Sequence, residues 1–278
     1  TAMLPMIGTM ALLSAIWIAV TQVDKLVLSG ILPLKDYGYF MIAVMAASGV
    51  LVFVPPLHQV VQPRMTILAE CREEEKLMEL YRLVSQLAVV IFVSLGGALA
   101  FFAEPILRIW TGSMDVSRTT APVLFWYGLA NAVVGVLVLP YMLQFARGQL
   151  RLHILGNLIT LTILVPALVI TVKLWGAAAA GQVFFSSNLL FLLFWVPLVH
   201  HRFLPMMRWE LYLYDTLFLG TLITGWFAVS AYALPDSVHI FQELGWISIS
   251  VLMAIIFGVI FGDRLRRFVF CLIFREKK

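Results

Sequence analysis

Charged side chains are scarce in this sequence: Asp, Glu, Lys and Arg make up 12% of its 278 residues, against 62% hydrophobic. Ordinary soluble domains carry about twice that charged share, so a water-facing globular fold is excluded. Cysteine is nearly absent. Cys71 and Cys271 stand alone, which rules out a disulfide-dense secreted scaffold. The five histidines form no ligand set with nearby carboxylates or thiolates, and no metal site is expected. A Walker loop, a zinc signature, a nucleophile elbow and paired catalytic carboxylates are all missing. The expectation is therefore a chain that is not an enzyme, has no catalytic residue and needs no cofactor. The net charge of +4 and the pI near 9.2 come from basic residues at the ends of apolar runs. Membrane orientation and anionic lipid account for that placement, and nucleic acid is set aside as a partner.

What the chain does have is apolar length. Eight almost uncharged runs cover residues 1–23, 37–63, 83–103, 119–146, 152–172, 174–201, 216–235 and 244–262. Each supplies about the 20 residues that an α-helix needs to cross a hydrocarbon core. The predicted fold class is all-α, a polytopic transmembrane bundle of about eight spans. Lys and Arg in alternate connections set its orientation, because cytoplasmic loops retain them. One side holds Arg64, Arg72, Lys76, Arg82, Arg147, Arg151, Arg202, Arg208, Arg264, Arg266, Arg267, Arg275, Lys277 and Lys278. The other holds Lys35, Arg108, Arg118 and Lys173. That asymmetry predicts both termini of the chain on the cytoplasmic side, with Cys71 and Cys271 reduced there. The chain enters an apolar run directly at Thr1 with no basic leader. A piece of a longer protein, with earlier spans preceding it, is expected.

Proline punctuates several runs: Pro55 and Pro56 in the second, Pro140 in the fourth, Pro166 in the fifth. Each removes one helical hydrogen bond and bends its span. Small residues at Gly96, Gly97 and 177–181 (AAAAG) predict close helix approach. The polar stretch 64–82 has apolar residues at roughly helical spacing and reads as an amphipathic helix on the cytoplasmic surface. The segment 104–118 reads as an interfacial turn of helix around Ile109 and Trp110.

Asp24 and Lys25 are the costliest residues, ionisable and within the first helix. At 100° per residue Ser14, Thr21, Asp24 and Lys25 form one polar stripe that should face protein or water. Two placements are open, a watery cavity or snorkelling to the outer interface; adjacent helix residues need not pair with each other. At the end of the second span, His58, Gln59, Gln62 and Arg64 lie within two turns of the cytoplasm, with His58 and Gln62 on one face. Asn131, Gln144, Asn157, Gln182, Ser186, Ser187 and Asn188 are expected to make interhelical hydrogen bonds worth about 0.6 kcal/mol each. Gln144 and Arg147 follow Pro140 near a cytoplasmic opening, where a basic side chain can meet phosphate. His200 and His201 read as part of the basic interface.

The stretch TQVDKLVLSGILPLKDYGYFMIAV resembles a signature of the Wzx-type polysaccharide and O-antigen flippases. These are members of the multidrug, oligosaccharidyl-lipid and polysaccharide (MATE-like) exporter superfamily. Asp24, Leu32, Gly38 and Tyr39 match it. QPRMTILAE, ILRIWTG and LPYMLQFARGQLRL are similar in order and spacing, so the resemblance covers roughly residues 9–204. It implies the second six-helix half of a two-half transporter over 1–204, with two additional helices and a basic tail over 205–278. The function it implies is flipping of polyprenyl-diphosphate-linked oligosaccharide across a bacterial cytoplasmic membrane. Asp24, Lys25, Gln59, Arg64, Gln144 and Arg147 would be the substrate-facing residues. Lys25 would neutralise substrate charge, and Arg64 and Arg147 would attract diphosphate at the entrance. Implied partners are the lipid-linked substrate, membrane lipid, an N-terminal half, a polysaccharide polymerase and a chain-length regulator. An ion-coupled multidrug exporter, or a membrane-embedded polymerase or glycosyltransferase, are the alternatives.

Overall fold

The computed structural model describes residues 18–205, 209–234 and 240–275. Helix α1 covers 18–31; Ser14 and most of the first apolar run lie outside the described residues. The second run is one long span in two parts, α2 (Leu34–Ser48) and α3 (Val54–Glu70), joined by a 3₁₀ segment at Gly49–Phe53. Pro55 and Pro56 cause that change of pitch, because neither can donate to the preceding turn. The remaining helices are α4 (Glu74–Phe101), α5 (Ala103–Thr111), α6 (Met114–Ala146), α7 (Arg151–Trp175), α8 (Ala177–Leu190) and α9 (Val196–Phe203). They are followed by α10 (Trp209–Tyr212), α11 (Leu219–Tyr232), α12 (Ile240–Phe261) and α13 (Asp263–Arg275). A π-helical turn at Phe191–Trp195 links α8 to α9, and another at Leu213–Phe218 links α10 to α11. Pro197 follows the first of these and lacks the donor that would keep an i→i−4 ladder.

Among the described residues, seven helical segments are long and apolar enough to span a membrane. The protein is an all-helical, multi-pass membrane bundle. Short connections reverse the chain after each span, which leaves a basic end, holding Arg147 and Arg264, and a far end, holding α5 and Gly176.

Two helices make the core. In the apolar windows of α4 and α6, 67% and 72% of residues are buried, against 17–33% in the other five segments. Leu155, Ile159, Ile163, Ile170 and Leu174 on α7 are exposed apolar side chains of the kind a lipid face presents. One cluster packs α4 against α6, α9, α11 and α12 through Phe92, Leu139, Val196, Phe227 and Ala254. A second packs α6 against α1, α2, α5, α7 and α8 through Leu28, Phe40, Leu107, Leu124, Leu164 and Phe184. The two spans beyond residue 205, α11 and α12, thus share a core with α4.

The α4–α6 crossing depends on glycine. A Cβ at Gly96 would stand 2.5 Å from the carbonyl oxygen of Gly128 and 2.6 Å from Cβ of Ala132. Neither neighbour is a flexible tip, so the helices must separate to admit a methyl group. Gly97, one residue on, faces the Phe227 ring of α11 at 2.6 Å, so two successive glycines serve two different helices. Gly181 of the AAAAG stretch meets Cβ of Trp126 on α6 at 2.6 Å. Gly96→Ala should lower stability by about 1–3 kcal/mol through overpacking. Gly225→Ala, with open space around it, should be close to neutral. Thermal unfolding in detergent of the two variants checks this, and equal midpoints would remove the tight crossing from the account.

Two expectations are corrected. Residues 64–82 do not form one surface helix: α3 ends at Glu70 and α4 starts at Glu74, with Arg72 left-handed between them at φ 58°. The apolar positions that mimic an amphipathic stripe belong to two antiparallel helix ends, where Met65, Leu77 and Tyr81 are all buried. His200 is not an interface residue. It is buried, its Nε2 lies 2.7 Å from the Tyr81 hydroxyl, and its ring meets Tyr212 edge-on. Tyr212 in turn donates to the Leu192 carbonyl at 2.6 Å, inside the first π turn. The turn of helix expected within 104–118 is present as α5, closed by left-handed Gly112.

Candidate functional site

A cavity of about 590 Å³ lies among α1, α3, α6, α7 and α8, in the half of the bundle toward the basic end. Its apolar wall includes Val134, Leu137, Phe145, Phe184 and Phe191. Its polar wall comes from Thr21, His58, Tyr141, His153, Asn157, Thr160 and Asn188. Tyr141 organises that wall. The His58 ring stacks on it at 6.3 Å and the His153 ring lies 4.7 Å away on its other neighbour helix. Asn157 sits one turn beyond His153, donating to the His153 carbonyl at 2.8 Å with the imidazole Nε2 at 3.1 Å. Such a wall offers aromatic faces, amides and imidazoles, the groups that hydrogen-bond and stack on a neutral polar ligand.

The charges stand one layer behind it. Asp24 is buried, and Tyr127 of α6 donates to its Oδ2 at 2.7 Å. The Lys25 ammonium folds back along α1, bonding the Thr21 carbonyl at 2.7 Å and Asp24 Oδ1 at 3.3 Å. Sequence spacing left the two free not to pair, yet the flexible lysine stem brings them together. Thr21, whose carbonyl holds the ammonium, is itself a cavity residue, and Tyr127 stacks on Phe184 of the same cavity wall at 5.6 Å. Lys25 keeps 24% of its side chain exposed while Asp24 keeps 3%. The carboxylate is therefore a fixed buried anchor, and the ammonium is the reachable charge.

The other sequence candidates do not converge on this point. Gln59 and Arg64 lie on the exposed surface of α3, outside the cavity lining. Gln144 is buried and donates to the Pro140 carbonyl at 3.1 Å, one turn back on its own helix. Arg147 caps α6 and is paired with Glu74. Gln62, on the His58 side of α3, reaches across to the Met142 carbonyl at 3.3 Å. Three of the seven neutral polar groups differ from the interhelical role expected: Asn157, Asn188 and Gln144 each bond a carbonyl four residues earlier on the same helix. In lipid a side-chain amide satisfies itself most cheaply against its own backbone.

Sequence reading missed a buried polar network at the basic end. Arg82 Nε and Nη2 donate to Asp215 at 2.6 and 3.0 Å, and Gln86 Nε2 donates to Asp215 at 2.7 Å and to Asp263 at 2.6 Å. Arg82 and Asp215 are almost fully enclosed. Burial would raise the Asp263 carboxyl, but the Gln86 hydrogen bond, the Arg82 charge and the Arg264 backbone together hold it below its usual range. At the far end Arg108 of α5 pairs with Glu243 of α12, and that bond, working against burial, raises the guanidinium further above its usual value. So α12 and its continuation α13 are tied to the bundle at both membrane faces. The one signal in the sequence was Asp215, an acid at the lip of an apolar run with no basic neighbour in the chain.

Among the described residues, seven apolar helical segments, two of them forming the buried core, pack with a cavity on one side and a buried charge pair beside it. No family model matches the chain, and no curated protein matches it. Among solved structures it is similar to "Lipid II flippase MurJ, inward closed conformation", with a TM-score of 0.64 and 14% identity over 91% of this chain. The match covers 52% of that protein, so this chain spans about half its length. At this identity the likeness establishes the fold.

Proposed function

We propose that the chain is part of a flippase that moves polyprenyl-diphosphate-linked oligosaccharide repeat units across the bacterial cytoplasmic membrane, for O-antigen, capsule or exopolysaccharide assembly. The observation that carries this reading is Lys25, a part-buried ammonium held on the carbonyl of a cavity residue in a bundle similar in fold to a lipid II flippase. A translocating diphosphate needs a cation inside the membrane, and the sugar needs a polar wall away from lipid. The cavity has such a wall. Arg64, exposed on α3, and Arg147 would draw the diphosphate to the cytoplasmic opening. A second bundle of comparable size would supply the opposing wall, in the manner of transporters built from two repeats. The activity proposed is transport and not enzymatic, and a polymerase and a chain-length regulator would act on the product.

An ion-coupled multidrug exporter would need an accessible carboxylate for a cationic drug. Asp24 is already compensated by Lys25 and Tyr127, and among the described residues none that lines the cavity is acidic. A flippase-deficient strain given this chain with a completing half should regain surface polysaccharide. Regained drug resistance without polysaccharide would favour the exporter instead.

The orientation proposed puts the basic end in the cytoplasm. Cys71 and Cys271 are both exposed and at that end, so an impermeant thiol reagent applied to intact cells should miss them. It should reach a cysteine placed at Ser113, at the far end beside α5. The reverse labelling pattern would invert the topology.

A further inference from the structure

At the basic end, α6 closes on Arg147 and left-handed Gly148, beside the first turn of α4 and the last turn of α9. A second pocket opens there, about 480 Å³, bounded by Glu74, Arg147, Gln149, Arg202, Phe203 and Pro205. Arg147 presents its fork to Glu74: Nη1 donates to Oε1 at 2.8 Å and Nη2 donates to Oε2. Nη2 also donates to the Phe203 carbonyl at 3.1 Å, which fixes the plane of the guanidinium. Its Nε is enclosed and has no hydrogen-bond partner. Arg202 stands on the same pocket, its guanidinium 5.9 Å from the Phe203 ring centre and its side chain exposed.

Two features of this arrangement are unlike a structural salt bridge. The lining holds two guanidinium groups and one carboxylate, so it keeps a positive excess with Glu74 in place. Glu74 is also the more loosely held partner, with 40% of its side chain exposed against 18% for Arg147. A carboxylate and a phosphate occupy an arginine fork with the same two-oxygen geometry, and phosphate offers a further oxygen to a second donor. The pocket sits where α6 and α9 end, and Leu198 and Phe194, about one and two turns before Arg202, are exposed apolar side chains.

We propose that this pocket binds a phosphate-bearing lipid headgroup, and that Glu74 is its built-in competitor, filling the Arg147 fork until a phosphate displaces it. Arg147 would hold two phosphate oxygens, while Arg202 and the Gln149 amide would take the remaining ones. The chemistry is shared by a resident anionic phospholipid and by the diphosphate of a lipid-linked sugar. Only the second source rests on the flippase reading; the phosphate site itself does not.

The test is binding to the purified chain in detergent, with inorganic diphosphate, phosphatidylglycerol and polyprenyl diphosphate as separate probes. Glu74→Gln removes the competing charge and keeps the side-chain shape, and it should tighten binding of all three by roughly two- to fivefold. Arg202→Gln leaves the Arg147–Glu74 pair untouched and should weaken binding several-fold. Arg147→Gln should abolish it. An unchanged affinity in Glu74→Gln, with the protein folded by circular dichroism, would overturn the proposal, as would unchanged binding in Arg202→Gln. Tighter capture of phosphatidylglycerol than of polyprenyl diphosphate identifies a resident lipid, and the reverse order identifies the transported headgroup. Translocation of lipid-linked oligosaccharide by the completed transporter is measured separately. Headgroup binding that responds to Glu74 with no translocation would leave the pocket standing and remove the flippase. Translocation with a headgroup affinity indifferent to Glu74 would do the opposite.

Discussion

Arg82→Met should cost the folded bundle about 3–5 kcal/mol, the usual penalty for removing one partner of a buried ion pair. The Arg82 side chain is 6% exposed and that of Asp215 is fully enclosed. With the guanidinium gone, Asp215 would keep the Gln86 amide as a hydrogen-bond donor, and the charge of its buried carboxylate would go uncompensated. The same substitution loosens Asp263, since Arg82 and Gln86 both reach it. So the loss should concentrate in α11–α13. Unfolding in detergent should show a lowered midpoint, and hydrogen exchange should rise first in those helices. The double variant Arg82→Met/Asp215→Leu should recover most of the loss, because apolar groups of similar volume replace a buried pair with little penalty. A double variant as unstable as the single one would mean that the network is fixed by shape and not by charge.

That network also marks where sequence reading ends. Run length and charge scarcity were enough for an all-α membrane bundle, because a helix is the one local solution for some 20 apolar residues in lipid. The double glycine at 96–97 was legible as a close approach, though not that its two members face α6 and α11 separately. Arg82 groups with the loop cations because only Leu80 and Tyr81 separate it from Glu79 and its neighbours on the polar side. The helix in fact begins at Glu74, which puts Arg82 two turns inside α4. A partner 133 residues away in sequence leaves no local trace. His200 failed in the same way: two adjacent histidines beside an arginine look basic and exposed, and only the positions of Tyr81 and Tyr212 reveal that one of them is buried.

The cavity was half legible. Asp24, Lys25, His58, Asn157 and Asn188 are polar residues in apolar runs, and their expense in lipid singled them out. Tyr127 and Tyr141, which organise the charge pair and the polar wall, are aromatic and raised no alarm. Arg147 was read as a free cation because charge in a loop carries no information about a partner. Glu74, its partner, belongs to an acidic run that reads equally well as a solvated face.

Under the proposed flippase function, Lys25→Ala should reduce translocation of lipid-linked oligosaccharide by the completed transporter about tenfold or more at normal protein abundance, the scale set by losing ~1.4 kcal/mol of charge attraction to the substrate. Its ammonium keeps 24% of the side chain exposed beside a nearly enclosed carboxylate. Asp24 and the Thr21 carbonyl fix where it sits, so position matters as well as charge. Lys25→Arg keeps the charge on a planar, wider head, and should retain part of the activity because the fork cannot reproduce the compact contact with Thr21. Asp24→Asn keeps an acceptor for Tyr127 while removing the charge that holds the ammonium. If Asp24 acts only by anchoring Lys25, that variant should lower the apparent affinity for substrate and leave the maximal rate near normal. If the carboxylate itself takes part in ion coupling, the maximal rate should fall and its dependence on the membrane gradient should disappear. Initial translocation rates in membrane vesicles, divided by transporter amount and taken over a range of substrate, separate these outcomes. Rates unchanged in Lys25→Ala would reduce the pair to an anchor for α1, and loss of the protein itself would make it a folding element, since Asp24 is then buried with Tyr127 as its remaining side-chain donor.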